Sequence, residues 1–324
     1  MHNARGGRQQ PAAPAALCTR GRVKYTGKAM ARRTASDTID APFRADADSR
    51  LAGRPHAGAA EAARASRRLP AILAALGAVL VLYLAVPFLV GFTSLDRADT
   101  IAAARDAISA GAVGVSVATA TLSTAIALVL GVPLAYILAR GDFRGKALVA
   151  AAVYLPLVVP PLAGGLLLLT VFGPRGILGG WFDARNIQIA DAWPGIVLAQ
   201  VFVAAPFLIV AAQVAFAGVD PALERVSYAL GVPPLRTFLR VSLPLAWPGI
   251  LAGLPLAWLR ALGEFGATVM LAYHPYSLPV YLFVQFGAQG LRAALPIAAI
   301  LAVLGIAALA AVRAAGGVWA GRRP

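Results

Sequence analysis

Six apolar runs, each of at least 20 residues, fill most of residues 69–312 of this 324-residue chain. They are Leu69–Phe92, Ala112–Ala139, Ala147–Phe172, Gly195–Val219, Leu245–Leu271 and Ala293–Val312. Twenty residues of helix rise about 30 Å, the thickness of the hydrocarbon core of a bilayer. The runs predict an all-α polytopic membrane protein with six transmembrane helices. Pro133, Pro156, Pro160, Pro161 and Pro255 lie inside the longer runs. Kinks or breaks are expected there, tolerable where neighbouring helices satisfy the freed backbone groups.

Composition agrees with a lipid-solvated chain. Apolar residues make up 59% and charged residues 13%, against about 45–50% and about 25% for soluble domains. The net charge of +15 is not that of a nucleic-acid reader, because no basic face interleaved with aromatics is visible. The first 68 residues hold fourteen Lys or Arg against five acids. That segment, 1–68, reads as a basic, mostly disordered cytosolic extension before a membrane domain at 69–314 and a short basic tail at 315–324. Within it, Gly21–Ala29 falls short of a phosphate loop: five residues separate Gly21 and Gly27, and Ala29 stands in the Ser/Thr position.

The other basic residues sort by side. Arg67 and Arg68, then Arg140, Arg144 and Lys146, then Arg225, Arg236 and Arg240, then Arg322 and Arg323 mark one side; the alternate loops hold fewer. The positive-inside bias places both termini in the cytosol. The single cysteine, Cys18, excludes an intrachain disulfide, and His2, His56 and His274 have no metal-ligand spacing. No cofactor or metal is expected on the chain.

Between runs four and five lies a polar stretch with its own helical signals. Asp220 is an N-cap and Pro221 suits the first helical position. Glu224 falls in the first turn, favourable to the helix dipole. Leu223, Val226 and Leu230 form one apolar stripe at i, i+3 and i+7. Gly231 suits a left-handed end, and Pro233-Pro234 prevent continuation. A second short helix is expected from about Leu235, carrying Arg236 and Arg240 and stopping near Leu243-Pro244. A helix, a corner and a helix would present a greasy stripe to a partner.

This stretch resembles the EAA loop of permease subunits of bacterial ABC importers. Glu224, Gly231 seven residues on, and Val241-Ser242-Leu243-Pro244 match E-x-x-x-x-x-x-G followed by I/V-x-L-P. Val226 and Ser227 replace the alanines usual after the Glu. Two further segments resemble the molybdate-type group, which includes sulfate and tungstate permeases. They are Leu155-Pro156-Leu157-Val158-Val159-Pro160-Pro161 and Arg260-Ala261-Leu262-Gly263-Glu264-Phe265-Gly266-Ala267-Thr268. The resemblance covers about residues 110–310, and Tyr273–Tyr281 departs from the molybdate pattern.

The resemblance implies a type I importer permease with no enzymatic chemistry in a bacterial inner membrane. Its partners would be a second permease (a homodimer, or a heterodimer), two ATPase subunits that use ATP, and a periplasmic binding protein that delivers an oxyanion. The residues implied in coupling to the ATPase are Leu223, Glu224, Val226, Ser227, Leu230, Gly231, Leu243 and Pro244. A permease for another cargo remains open. So does a channel or secondary transporter working alone, which offers no reason for the loop. A membrane enzyme would need convergent catalytic groups, and none is visible.

Inside the membrane, Arg260 and Glu264 stand at i and i+4 in run five. Such charges usually face a bundle interior and pair. They read first as a structural pair and second as a pathway or gate site. Pro156, Pro160 and Pro161 are candidates for a helix break lining the pathway. Gln200 and Gln213 read first as partners in interhelical hydrogen bonds and second as lining of the pathway. Thr119, Thr121, Ser123 and Thr124 are placed to bond back to their own helix carbonyls. His274 reads as a satisfied interfacial histidine.

Overall fold

The computed structural model describes the backbone of residues 57–320 and the side chains of residues 73–108 and 110–311. All regular structure there is helical. Leu73–Thr93, Ala112–Arg140, Trp193–Ala217, Pro234–Leu262 and Leu291–Ala311 are long and apolar enough to cross a membrane. The third expected span is interrupted and consists of two shorter apolar helices.

In chain order the helices are α1 (Ala57–Thr93), α2 (Arg97–Ser109), α3 (Ala112–Arg140), α4 (Lys146–Val158), α5 (Pro161–Phe172), α6 (Gly179–Asp183), α7 (Trp193–Ala217), α8 (Pro221–Ala229) and α9 (Pro234–Thr237). A π-turn over Phe238–Ser242 follows, then α10 (Leu243–Leu262), α11 (Gly266–Leu271), α12 (Leu278–Gln289) and α13 (Leu291–Ala320). Helix α1 starts at Ala57, inside the segment expected to be disordered. The stretch Ala57–Ala65 consists mainly of Ala, Glu and Arg, strong helix formers that extend a helix without an apolar face. The rest of the basic extension, with Gly21–Ala29 and Cys18, lies outside the described residues, as do residues 321–324 of the tail.

The centre of the bundle is α3, α7 and α10. Ala127, Ala135, Leu138, Leu208, Ala212, Phe216, Ile250 and Ala257 share one buried cluster. Hydrocarbon removes the usual hydrophobic incentive for helices to associate, so contact depends on close packing and small residues. Gly249 and Gly253, one turn apart on α10, meet Ala215 and Ala211, one turn apart on α7. A Cβ at Gly253 would lie 2.4 Å from the Ala211 Cβ, and one at Gly249 would lie 2.6 Å from the Ala215 Cβ. An alanine methyl on a rigid helix has nowhere to move.

Two of the expected continuous spans are broken. Run three stops at Val158 and restarts at Pro161. Pro160 and Pro161 push the residues before them out of helical geometry, and Pro161 begins the new helix without an N–H to satisfy. Pro156 stays inside α4, which continues past it to Val158. Run five was expected to be one span but breaks at Gly263–Phe265, between α10 and α11. The second halves pack together: a Cβ at Gly165 of α5 would lie 2.7 Å from backbone atoms of Ala267, and one at Gly266 would lie 2.8 Å from the Leu162 nitrogen.

The helix expected to stop near Leu243-Pro244 instead runs on from Pro234 to Leu262. Proline in a regular helix clashes with the carbonyl four residues back. A π-turn just before Pro244 changes that register: the Leu243 N–H donates to the Phe238 carbonyl, five residues back.

Replacing Gly253 with valine forces branched carbon into contact with Ala211. The variant is expected to lose about 1–3 kcal/mol of stability, read as a lower midpoint of thermal unfolding in detergent. The same change at Gly287, where nothing lies within 4 Å of an added Cβ, should leave packing undisturbed.

Candidate coupling site

Helix α8 is built as its sequence predicts. The Asp220 carboxylate accepts from the Ala222 N–H at 2.8 Å, and Pro221 occupies the first turn. At the other end Gly231 has φ +77°. The Gly231 N–H donates to the Tyr228 carbonyl and the Val232 N–H to the Ser227 carbonyl, the paired closure of a Schellman motif. No atom lies within 4 Å of where a Gly231 Cβ would be. Backbone conformation, not lack of room, demands glycine there.

The helix is turned opposite to an ordinary surface helix, whose apolar stripe faces the protein. Its apolar residues point outward: Leu223 is 46% exposed, Val226 58% and Leu230 77%. Leu235 and Leu239, after the corner, are exposed too, as are Arg225, Arg236 and Arg240. The polar residues point inward. Glu224 is only 6% exposed, and Ser227 is buried with its hydroxyl 2.8 Å from that of Thr237. Ser227 and Thr237 thus tie the two arms of the corner together. Leu243 is half-buried against the bundle core, while Pro244 is exposed.

Glu224 is the centre of a polar hub. Its Oε1 accepts from Arg140 Nε at 3.1 Å and from the Ser242 hydroxyl at 2.8 Å. The Tyr136 hydroxyl lies 3.5 Å from Oε2. Arg140 also donates to the Val219 carbonyl at the exit of α7. The last turn of α3 suits a cation, since the helix dipole is negative there. Aromatic packing supports the hub: the Tyr136 ring lies 5.2 Å from Phe216 and 4.8 Å from Phe238. Tyr136, Arg140, Thr237 and Ser242 are not recognisable as partners in the sequence. Arg140 reads there only as one more basic residue beside a span.

The intramembrane pair forms as expected, at 2.6 Å between Arg260 Nη1 and Glu264 Oε2. Its setting differs from one continuous helix, because Glu264 sits in the break between α10 and α11. The second oxygen, Oε1, accepts from the Ala267 N–H at 2.7 Å in the first turn of α11. Glu264 is 1% exposed. One carboxylate therefore balances Arg260 in the last turn of α10 and accepts from the first turn of α11.

Among the other polar residues, Thr119, Thr121 and Thr124 bond to the carbonyls of Val115, Val117 and Ala120. Ser123 instead crosses to α7, donating to Gln200 Oε1 at 2.9 Å. Gln213 accepts from the Tyr154 hydroxyl at 2.7 Å, joining α7 to α4. His274 stacks among Tyr273 and Tyr276. Of the candidate break residues, Pro160 is exposed and Pro156 and Pro161 are half-buried. No group of three or more His, Cys, Asp or Glu able to hold a metal occurs among the described residues.

Residues 131–316 match the family described as "Binding-protein-dependent transport system inner membrane component". A probable molybdenum ABC transporter permease protein of Haloferax volcanii is 48% identical over 201 residues, which are 62% of this chain and 73% of that protein. The molybdate/tungstate transport system permease protein WtpB of Pyrococcus abyssi is 40% identical over 232 residues, 71% of this chain and 88% of that one. Among solved structures, a bacterial alginate ABC transporter in complex with alginate pentasaccharide-bound periplasmic protein shares the fold. Its TM-score is 0.63 at 17% identity, covering 78% of this chain and 94% of that chain. This chain belongs to the family of inner membrane components of binding-protein-dependent transport systems, as a permease subunit of an ATP-driven importer.

Glu264→Ala leaves Arg260 without its partner and the start of α11 without its cap. A loss of about 1–3 kcal/mol is expected, because the Arg260 left behind is 26% exposed and keeps some solvation, seen as a lower unfolding midpoint or failed assembly. Glu264→Gln keeps an oxygen for the Ala267 N–H and should lose less. Unchanged stability and transport in Glu264→Ala would show the pair to be dispensable.

Proposed function

We propose that this permease carries an oxyanion, molybdate first and then tungstate or sulfate, through a bacterial inner membrane. It acts as one of two permease subunits, a homodimer or a pair with a second permease. Two ATPase subunits and a periplasmic binding protein complete the importer. ATP is bound and hydrolysed by the partners; this chain holds no cofactor and performs no catalysis. Residues 69–314 form the conduit, with cytosolic extensions at 1–68 and 315–324.

The observation that carries this reading is the outward stripe of α8. Leu223, Val226 and Leu230 stand in the open while Glu224 and Ser227 are folded inward. A contiguous apolar stripe exposed on a polar loop marks a surface for a partner. Seating that stripe in a cleft of the ATPase, with Arg225, Arg236 and Arg240 on its flanks, places the loop and both termini on the cytosolic side. Gly231 and Pro244 act as geometry: one turns the corner and the other sits where the chain enters span five.

The names of the relatives support the cargo: molybdenum for one and molybdate/tungstate for the other. Arg260 is committed to Glu264 at 2.6 Å. Its field is largely neutralised toward a passing anion, so the pair acts in packing rather than in the pathway. The break between Val158 and Pro161 is the better candidate for lining the pathway, since irregular backbone at membrane depth is kept within protein or beside a cavity.

Two measurements test the reading. Val226→Asp puts a charge at the centre of the stripe and should weaken co-purification of the ATPase by at least about tenfold, or about 1.4 kcal/mol. In vesicles holding permease, ATPase and binding protein, molybdate should accumulate only with ATP. Accumulation without the ATPase would overturn the mechanism, and uptake of none of molybdate, tungstate or sulfate would overturn the cargo.

A further inference from the structure

The outward face of α8 explains where force would be received, and the inward face shows where it would go. One carboxylate, Glu224, is bonded to the end of α3 through Arg140 and to the π-turn that starts α10 through Ser242. Arg140 is bonded in turn to Val219, where α7 ends. Two membrane helices thus meet at one residue of the projecting helix, and Arg140 joins the exit of a third. The contacts are charge-assisted and withdrawn from water, so they are stronger than surface pairs.

We propose that Glu224 is a positioning residue for energy coupling. Its carboxylate locks α8 to the ends of spans two and five, and through Arg140 to the end of span four, so that a push on the exposed stripe moves them as one body. In this assignment Glu224 does not touch the ATPase. The π-turn fits the role. Ser242 lies within it, and a π-turn is a single-turn departure from the α-helical register of a kind frequent at functional sites. The link from Glu224 to Ser242 ties the projecting helix to that turn, where span five begins.

The alternatives make different predictions. If Glu224 were a docking contact, neutralising it would release the ATPase. If it only held the fold, its loss would lower stability and leave the solute moved per ATP unchanged. As a coupling link, its loss should spare docking and lower that ratio.

The inference rests on α8 being the ATPase-docking helix, and its test separates the two. The complete complex of permease, ATPase and binding protein is placed in vesicles with molybdate, and three quantities are read: ATPase retained, ATP hydrolysed and molybdate accumulated. Glu224→Gln keeps side-chain volume and removes the charge. It should retain the ATPase within about twofold while molybdate moved per ATP falls at least about tenfold. Arg140→Met should do the same, and the double variant should be no worse than either single one, because both remove one shared interaction. Loss of the ATPase from Glu224→Gln, as expected for Val226→Asp, would overturn the proposal. So would a normal ratio, or additive losses in the double variant. Retention of the ATPase by Val226→Asp would instead sink the docking reading.

A second measurement leaves the hub intact. Spin labels at Ile137 on α3 and Ala229 on α8, both exposed, should keep one distance through the ATP cycle. Labels at Ala229 of the two permease subunits should change theirs. A change in the first distance as large as the second would overturn the proposal.

Discussion

Hydrocarbon offers a peptide group no water, so every interruption of a membrane helix must be closed by the protein itself. This constraint explains the way the bundle is put together. Between Val158 and Pro161 the break falls on Pro160 and Pro161, which have no N–H left to satisfy. Before Pro244 the chain changes register through a π-turn, with the Leu243 N–H reaching the Phe238 carbonyl. At Gly263–Phe265 the Glu264 carboxylate takes the Ala267 N–H and also balances Arg260. Removing a donor, shifting register and supplying an acceptor are three answers to the same requirement.

Small residues hold these irregular pieces in place. Gly165 lets the backbone of α11 lie against α5, and Gly249 and Gly253 let α10 lie against α7. Without a hydrophobic incentive between helices, closeness supplies the attraction through dispersion and backbone contact. Polar contacts between helices add specific links: Ser123 to Gln200, Tyr154 to Gln213, Trp258 to Thr121, and the Leu278 N–H to Ser116. The first two join α7 to α3 and α4, and the others join α3 to α10 and α12.

The projecting helix obeys a different solvent and shows the reverse arrangement. Its polar side is consumed by Arg140, Ser242 and Thr237, leaving apolar residues for whatever covers it. A loop that needed only to connect two spans would place Leu223, Val226 and Leu230 against the bundle and Glu224 in water. Their exchange is the physical observation behind the proposal that the loop is one half of an interface.

Local and periodic features of the molecule were legible in its sequence. Hydrophobic length sets the spans; Asp220, Pro221 and Gly231 set the ends of α8, because caps act within a few residues of themselves; the Pro160-Pro161 pair sets one helix break. The ion pair of Arg260 and Glu264 was also legible, from a four-residue spacing. What the sequence left undecided depends on residues far apart along the chain. Arg140 is 84 positions from Glu224, and Ser242 is 18. Only folding brings them together, and that meeting turns Glu224 inward. The break at Gly263–Phe265 and the π-turn after Thr237 were likewise invisible, because apolar composition records burial in lipid and is blind to how backbone hydrogen bonds are routed. Solvent and local stereochemistry are written residue by residue, whereas the direction a side chain faces is settled by the neighbours that packing provides.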